Sequence, residues 1–159
     1  MTVRPLRYLG DPVLRTPTDP VTTFDERLAR LVDDLMDSVQ LPGRAGLAAP
    51  QIGVGLAVFS YDVDGHLGYL VNPEITHAEG TYDGTEGCLS LPGAHADVRR
   101  SAFVVANGFD RTGKAVTVEG TGEFARCLQH ETDHLAGRLY IDLLEPAERR
   151  KVMRAVAAP

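Results

Sequence analysis

The sequence predicts an α+β fold, and two observations predict it. Strand-like segments in the middle of the chain come in pairs joined by short polar turns, the hairpin pattern of antiparallel sheets. Helix-like segments sit towards the ends of the chain rather than between strands, so a doubly wound parallel sheet is disfavoured. No internal repeat, low-complexity stretch or linker interrupts the 159 residues, which are expected to form one domain, 1–159.

The first twenty residues are broken by Pro5, Pro12, Pro17 and Pro20. They read as extended, with a helical turn over Pro12 to Arg15. A helix follows, with Thr23 as its cap and Glu26 completing a capping box. Leu28, Leu31, Val32, Leu35, Met36 and Val39 recur at helical spacing and make one apolar face. Pro42-Gly43 ends it. Strands are expected over Gly55 to Tyr61, Gly68 to Asn72 and Glu74 to Glu79, with a turn at Asp62-Val63-Asp64-Gly65. A second hairpin pairs Phe103 to Asp110 with Ala115 to Gly120. Another helix runs from about Gly122 to Ala136, with Thr121 as cap and Gly137 just past its end. Pro146 opens a last short helix, with Glu148 early and Lys151 and Arg154 late, as the helix dipole favours.

Composition narrows the function. The chain is 43% hydrophobic and 24% charged, as ordinary globular proteins are. A net charge of −6 argues against a broad nucleic-acid surface, which would need clustered Lys and Arg. Two cysteines do not make a disulfide framework. No apolar run approaches a membrane span, and Met1-Thr2-Val3-Arg4-Pro5 has no signal-peptide core. A reduced, cytoplasmic protein is expected.

The most informative residues are His130-Glu131-Thr132-Asp133-His134. On a helix, positions i and i+4 share a face about 6 Å apart along the axis. Two imidazoles can then meet at one divalent metal, with Glu131 in reach of a water beside it. Two solvated histidines on a surface helix is the bland alternative. A third ligand is needed. Cys127 is about 10 Å from His134 along the axis, too far for its short side chain. Glu131 could coordinate, but that would remove the base. Cys88, in Glu86-Gly87-Cys88-Leu89-Ser90, is the better candidate. His66, His77 and His95 have no partner at ligand spacing. In Gly43-Arg44-Ala45-Gly46-Leu47-Ala48-Ala49-Pro50-Gln51, small residues let the backbone approach a ligand or a packed helix. Gln51 offers an amide donor. Alone, this segment reads as a glycine-rich turn before a strand.

Together the three segments resemble the peptide deformylase family, which carries G-x-G-L-A-A-x-Q, then E-G-C-L-S, then Q-H-E-x-D-H in this order. The last two stand intact as Glu86 to Ser90 and Gln129 to His134. In the first, Gly46 to Gln51 match, but the leading glycine falls on Arg44. The resemblance covers nearly the whole chain.

It implies antiparallel sheets packed around a central helix that carries the His-Glu-x-x-His motif, with flanking helices. It implies that Cys88, His130 and His134 hold one divalent metal, commonly ferrous iron, with zinc or nickel able to replace it. Glu131 would act as base and then acid, and Gln51 and the Leu89 N–H would meet the developing oxyanion. Gly46 would border the substrate pocket and Arg100 would lie near the peptide, although a solvated or structurally paired arginine is an equal reading for Arg100. Cys127 would line the methionine pocket or the core, and Glu86 would support the cysteine segment. The substrates implied are N-formylmethionyl peptides, with the ribosome a further partner of a monomeric, bacterial-type cytoplasmic enzyme. Two rival readings remain at this level. One is a metalloprotease built on the same helix, which Cys88 argues against. The other is a metal-binding relative with altered or no catalysis, which Arg44 alone supports.

Overall fold

A five-stranded antiparallel sheet separates two helices in the computed structural model of the chain, which describes residues 2–158. In spatial order the strands are β1 (Gly46–Ala48), β2 (Val58–Val63), β3 (His66–Glu79), β6 (Phe103–Phe109) and β7 (Ala115–Thr121). A two-stranded antiparallel arm, β4 (Thr85–Gly87) with β5 (His95–Asp97), projects from the connection between β3 and β6. Beyond the arm's strands, Tyr82 bridges Arg100, so the pairing continues towards its base.

The sheet's alternation sorts its side chains between the helices. Val58 and Leu47 face α1 (Glu26–Val39), where they pack with Leu28, Leu31, Val32, Leu35 and Val39. Ser60, on the same face, donates its hydroxyl to the Leu35 carbonyl at 3.0 Å. Phe59, Tyr61, Leu70, Val104 and Ala106 face the other way, against Phe124, Ala125, Leu128 and Leu135 of α2 (Gly122–Leu135). Each such leucine or valine contributes about 1.5–3 kcal/mol when fully buried, so both helices are held chiefly by these faces. α3 (Pro146–Ala155) buries Val152 in a third cluster with Leu91, Ala96, Val98, Tyr140 and Ile141.

The expected α+β architecture and its central helix are present. Details differ for physical reasons. Asp25, not Thr23, caps α1: its carboxylate accepts from the N–H groups of Arg27 and Leu28, both at 3.1 Å. An anion at a helix N-terminus also suits the dipole. The two strands expected on either side of Pro73 are one strand, β3, with an irregularity between Val71 and Glu74. There Asn72 takes φ +48° and its amide group bonds both the N–H and the carbonyl of Val21, at 2.8 and 2.9 Å. β2 runs on to Val63, so the turn tightens to Asp64-Gly65. The hairpin of β6 and β7 and the turn at Pro12–Arg15 lie where expected. Gly137 (φ +75°) ends α2, and a Cβ there would stand 2.7 Å from the Arg15 carbonyl oxygen. None of the described helices is long and apolar enough to cross a membrane.

Candidate metal centre

The site forms where the arm meets α2. Helical spacing stacks His130 and His134 on one face, with ring centroids 4.9 Å apart. Both are buried. Cys88 follows β4, and a turn closed by Leu91 N–H to the Cys88 carbonyl aims its thiol at the helix. Its Sγ lies 3.3 Å from His134 Nε2. One ligand atom from each of Cys88, His130 and His134 lies within 4.8 Å of the others, a spacing that suits a single ion.

Glu86 organises His130. Its buried carboxylate lies 2.6 Å from His130 Nδ1, which puts that ring proton on Nδ1 and leaves Nε2 as the free nitrogen. Burial pushes the Glu86 carboxyl up, but hydrogen bonds from Arg100 and His130 outweigh it and hold the group well below the usual carboxylate range. Burial pulls both imidazoles down, and His134 lies well below its ordinary value. At His130, Cys88, Glu131 and Glu86 overcome burial and raise it. A point that draws positive charge between a thiol and two carboxylates suits a divalent cation.

Glu131 is 3% exposed, and its Oε2 is 3.9 Å from His130 Nε2. Its Oε1 is buried without a hydrogen-bond partner among the described residues. Burial raises its pKa to about 7. A carboxyl so placed can take and return a proton near neutral pH.

A tight turn at Ala49–Ile52 positions Gln51. Its Oε1 accepts from Ala48 N–H at 2.9 Å, which fixes the amide's orientation. Its Nε2 then lies 3.1 Å from Ser90 Oγ and 3.7 Å from Cys88 Sγ. Gln51, Leu89, Gly46, Cys88, His130 and Glu131 all line one cleft of about 460 Å³.

Arg100, expected beside a peptide, is 7% exposed and not among the cleft's lining residues. Its guanidinium forks onto Glu86 at 2.9 and 2.6 Å and reaches Asp133 at 2.7 Å. The ion-pair reading of Arg100 is the one the contacts match, because all of these donors are engaged inside the protein. Asp133 accordingly anchors the helix rather than facing the cleft. Arg44 turns back to α1 and donates to the Ser38 carbonyl at 3.0 Å. It does not line the cleft either, so the one observation favouring altered catalysis loses its force. Cys127 is buried in the core cluster on the α2 face and also lines the cleft. Burial, with Glu131 nearby, pushes its thiol pKa well up. His66 stacks on Phe124, and His77 pairs with Glu79 at 3.0 Å, both away from the centre.

Arg126 is the residue that sequence reasoning missed. It is 4% exposed and donates to Glu86 Oε1 at 2.9 Å. The available signal was position: four residues before His130, it lies on the same helix face.

Known proteins share this architecture. A family model described as polypeptide deformylase matches residues 3–150. A peptide deformylase of Acidothermus cellulolyticus is 54% identical over 156 residues, covering 98% of this chain and 87% of its own. The crystal structure of a peptide deformylase from Legionella pneumophila is similar with a TM-score of 0.92 at 42% identity, over 98% of this chain and 94% of that one. That of the Ehrlichia chaffeensis peptide deformylase in complex with actinonin is similar at 0.89 and 28% identity, over 97% and 95%. With its fold and nearly its full length matched, the chain belongs to the polypeptide deformylase family.

Proposed function

We infer that this chain hydrolyses the N-terminal formyl group of formyl-methionyl peptides, releasing formate and a free amine. Family membership supplies the reaction class. The observation that carries the site-level reading is the close grouping of Cys88, His130 and His134 beside Glu131, whose Oε1 is buried and has no partner among the described residues.

The donor set fits a metal: one soft thiolate and two imidazoles, one of them with its tautomer fixed by Glu86. In this reading Cys88, His130 and His134 hold one divalent ion, ferrous iron in the cell, with zinc and nickel as competent substitutes. Such an ion, when bound, acidifies water and polarises the formyl carbonyl. Glu131 accepts the proton released as a water oxygen bonds to the formyl carbon. The C–N bond then breaks, and Glu131 returns that proton to the departing amine, so one carboxyl serves as base and acid. Gln51 Nε2 and the Leu89 N–H supply donors for the charge that builds on the formyl oxygen. Gly46, on the cleft wall, lets the β1 backbone lie directly against Glu131, where a Cβ would stand 2.5 Å from Oε2.

We further propose that the chain acts as a single catalytic domain, monomeric and cytoplasmic, on nascent peptides at the ribosome. Actinonin, bound by the Ehrlichia chaffeensis relative, is expected to compete for the same cleft. The test is formate release from formyl-Met-Ala-Ser by anaerobically purified protein, with metal quantified in the same sample. Turnover at about one metal per chain supports the reading. Bound metal without turnover of any formyl peptide refutes it.

A further inference from the structure

The candidate ligands come from two elements, Cys88 from the end of the β4–β5 arm and the histidines from α2. Something must fix the arm against the helix for the three to converge. Arg126 is placed to do this. From α2, its Nη1 donates to Glu86 Oε1 in β4 at 2.9 Å and to the Val98 carbonyl just beyond β5 at 2.8 Å. Its Nη2 donates to the Tyr82 carbonyl before β4 at 3.3 Å, and its guanidinium carbon stands 5.1 Å over the Tyr82 ring. One side chain therefore ties β4, the residue just past β5 and the base of the hairpin to the helix one turn before His130.

Arg100 makes the reciprocal link. Its backbone pairs with Tyr82 at the arm's base, and its side chain reaches Asp133 on α2. The two arginines meet on the Glu86 carboxylate, whose oxygens accept two hydrogen bonds from Arg100 and one from Arg126 and face His130 Nδ1. Without Arg126, Glu86 keeps its bonds to Arg100, while the Val98 and Tyr82 carbonyls lose their tie to α2. Room for Arg126 is made by Gly84, where a Cβ would stand 3.2 Å from Nη2.

We propose that Arg126 is a positioning residue that sets the distance of Cys88 from His130 and His134 by clamping the arm to α2. This rests on the metal-centre reading above. Arg126 lines the cleft, but its hydrogen bonds go to Glu86, Val98 and Tyr82 and none to a candidate ligand. Its effect is on the geometry of the thiol.

The test uses Arg126→Met and Arg126→Lys in the full chain loaded with Co(II), whose thiolate charge-transfer band reports the Cys88–metal bond. Wild type must show that band, and its absence in wild type would refute the metal-centre reading itself. Given the band, Arg126→Met is expected to weaken or shift it. Release of metal to a chelator should rise about tenfold or more, the effect typical of lost support around a metal ligand. Arg126→Lys keeps the charge but can reach fewer of the three acceptors, and should fall between. If Arg126→Met melts below the assay temperature, Arg126→Lys carries the test. An unchanged band and unchanged metal release in a folded variant, even one with a lowered Tm, would overturn the proposal.

Discussion

A Cβ built on Gly46 would stand 2.5 Å from Oε2 of Glu131 and 2.8 Å from Sγ of Cys127. Real Cβ atoms essentially never make such contacts, so with β1 this close to α2 only glycine leaves Glu131 and Cys127 where they are. The proximity puts the β1 edge of the cleft against the carboxyl proposed as base. Gly46→Ala must therefore displace Glu131 or push β1 away. We expect kcat for formate release to fall about a hundredfold, as for small misplacements of reacting groups. Metal content should be retained, because the atoms nearest that Cβ belong to Glu131 and Cys127 and not to a candidate ligand. Parallel activity and metal assays on the purified variant check this.

Cys88→Ala removes the only candidate ligand on the arm. The two remaining imidazoles are too few for a stable site, so metal should be lost on dialysis and activity with it. Elemental analysis after dialysis is the check, and full retention of metal would exclude Cys88 as a ligand.

Arg44→Met tests the departure in the first motif. Arg44 donates to the Ser38 carbonyl near the C-terminus of α1, where an arginine satisfies an end carbonyl and suits the dipole. Its loss should cost about 0.5–1 kcal/mol of stability in denaturant unfolding. Relative rates across a panel of formylated peptides should stay as in wild type. A reordered panel would return Arg44 to the substrate side of the account.

Asp142 gives a pH prediction. Burial raises its carboxyl pKa, but hydrogen bonds from Arg15 at 2.6 Å and the Leu139 N–H at 3.0 Å outweigh it and hold the pKa below the ordinary 3.8. A carboxyl with a lowered folded-state value stabilises the protein above its unfolded-state value. That contribution is lost as pH falls through the folded one. Asp142→Asn should therefore be less stable than wild type at pH 7, by about 0.5–1 kcal/mol for a partly solvated pair. The gap should close as pH falls below about 4, as urea titrations at several pH values would show.

The elements legible in the sequence were those whose pattern is local. The apolar face of α1, the His130/His134 spacing on α2 and the β6–β7 hairpin each follow from periodicity within one segment. The three-residue strands β1, β4 and β5 carry too few positions for a period, and exist because a neighbouring strand or the opposite strand of the arm fills their hydrogen bonds. Asn72 reads as a strand breaker next to Pro73, yet its amide replaces backbone partners for Val21, a contact 51 residues away in sequence. Arg126 looks like a surface charge, and Arg100 like a residue beside the peptide or in some unnamed pair, until Glu86 is seen between them. Their role depends on a fold that brings residues 86, 100 and 126 to one point, and no spacing in the chain announces that.

The central claim is that Glu131 moves the proton at a metal held by its neighbours. The most direct measurement is formate release by Glu131→Gln, made alongside metal quantification on the same preparation. The account predicts about one metal per chain, as in wild type, with turnover lowered by about a thousandfold, within the range general acid–base catalysis contributes. Turnover within a few-fold of wild type at full metal occupancy would contradict it.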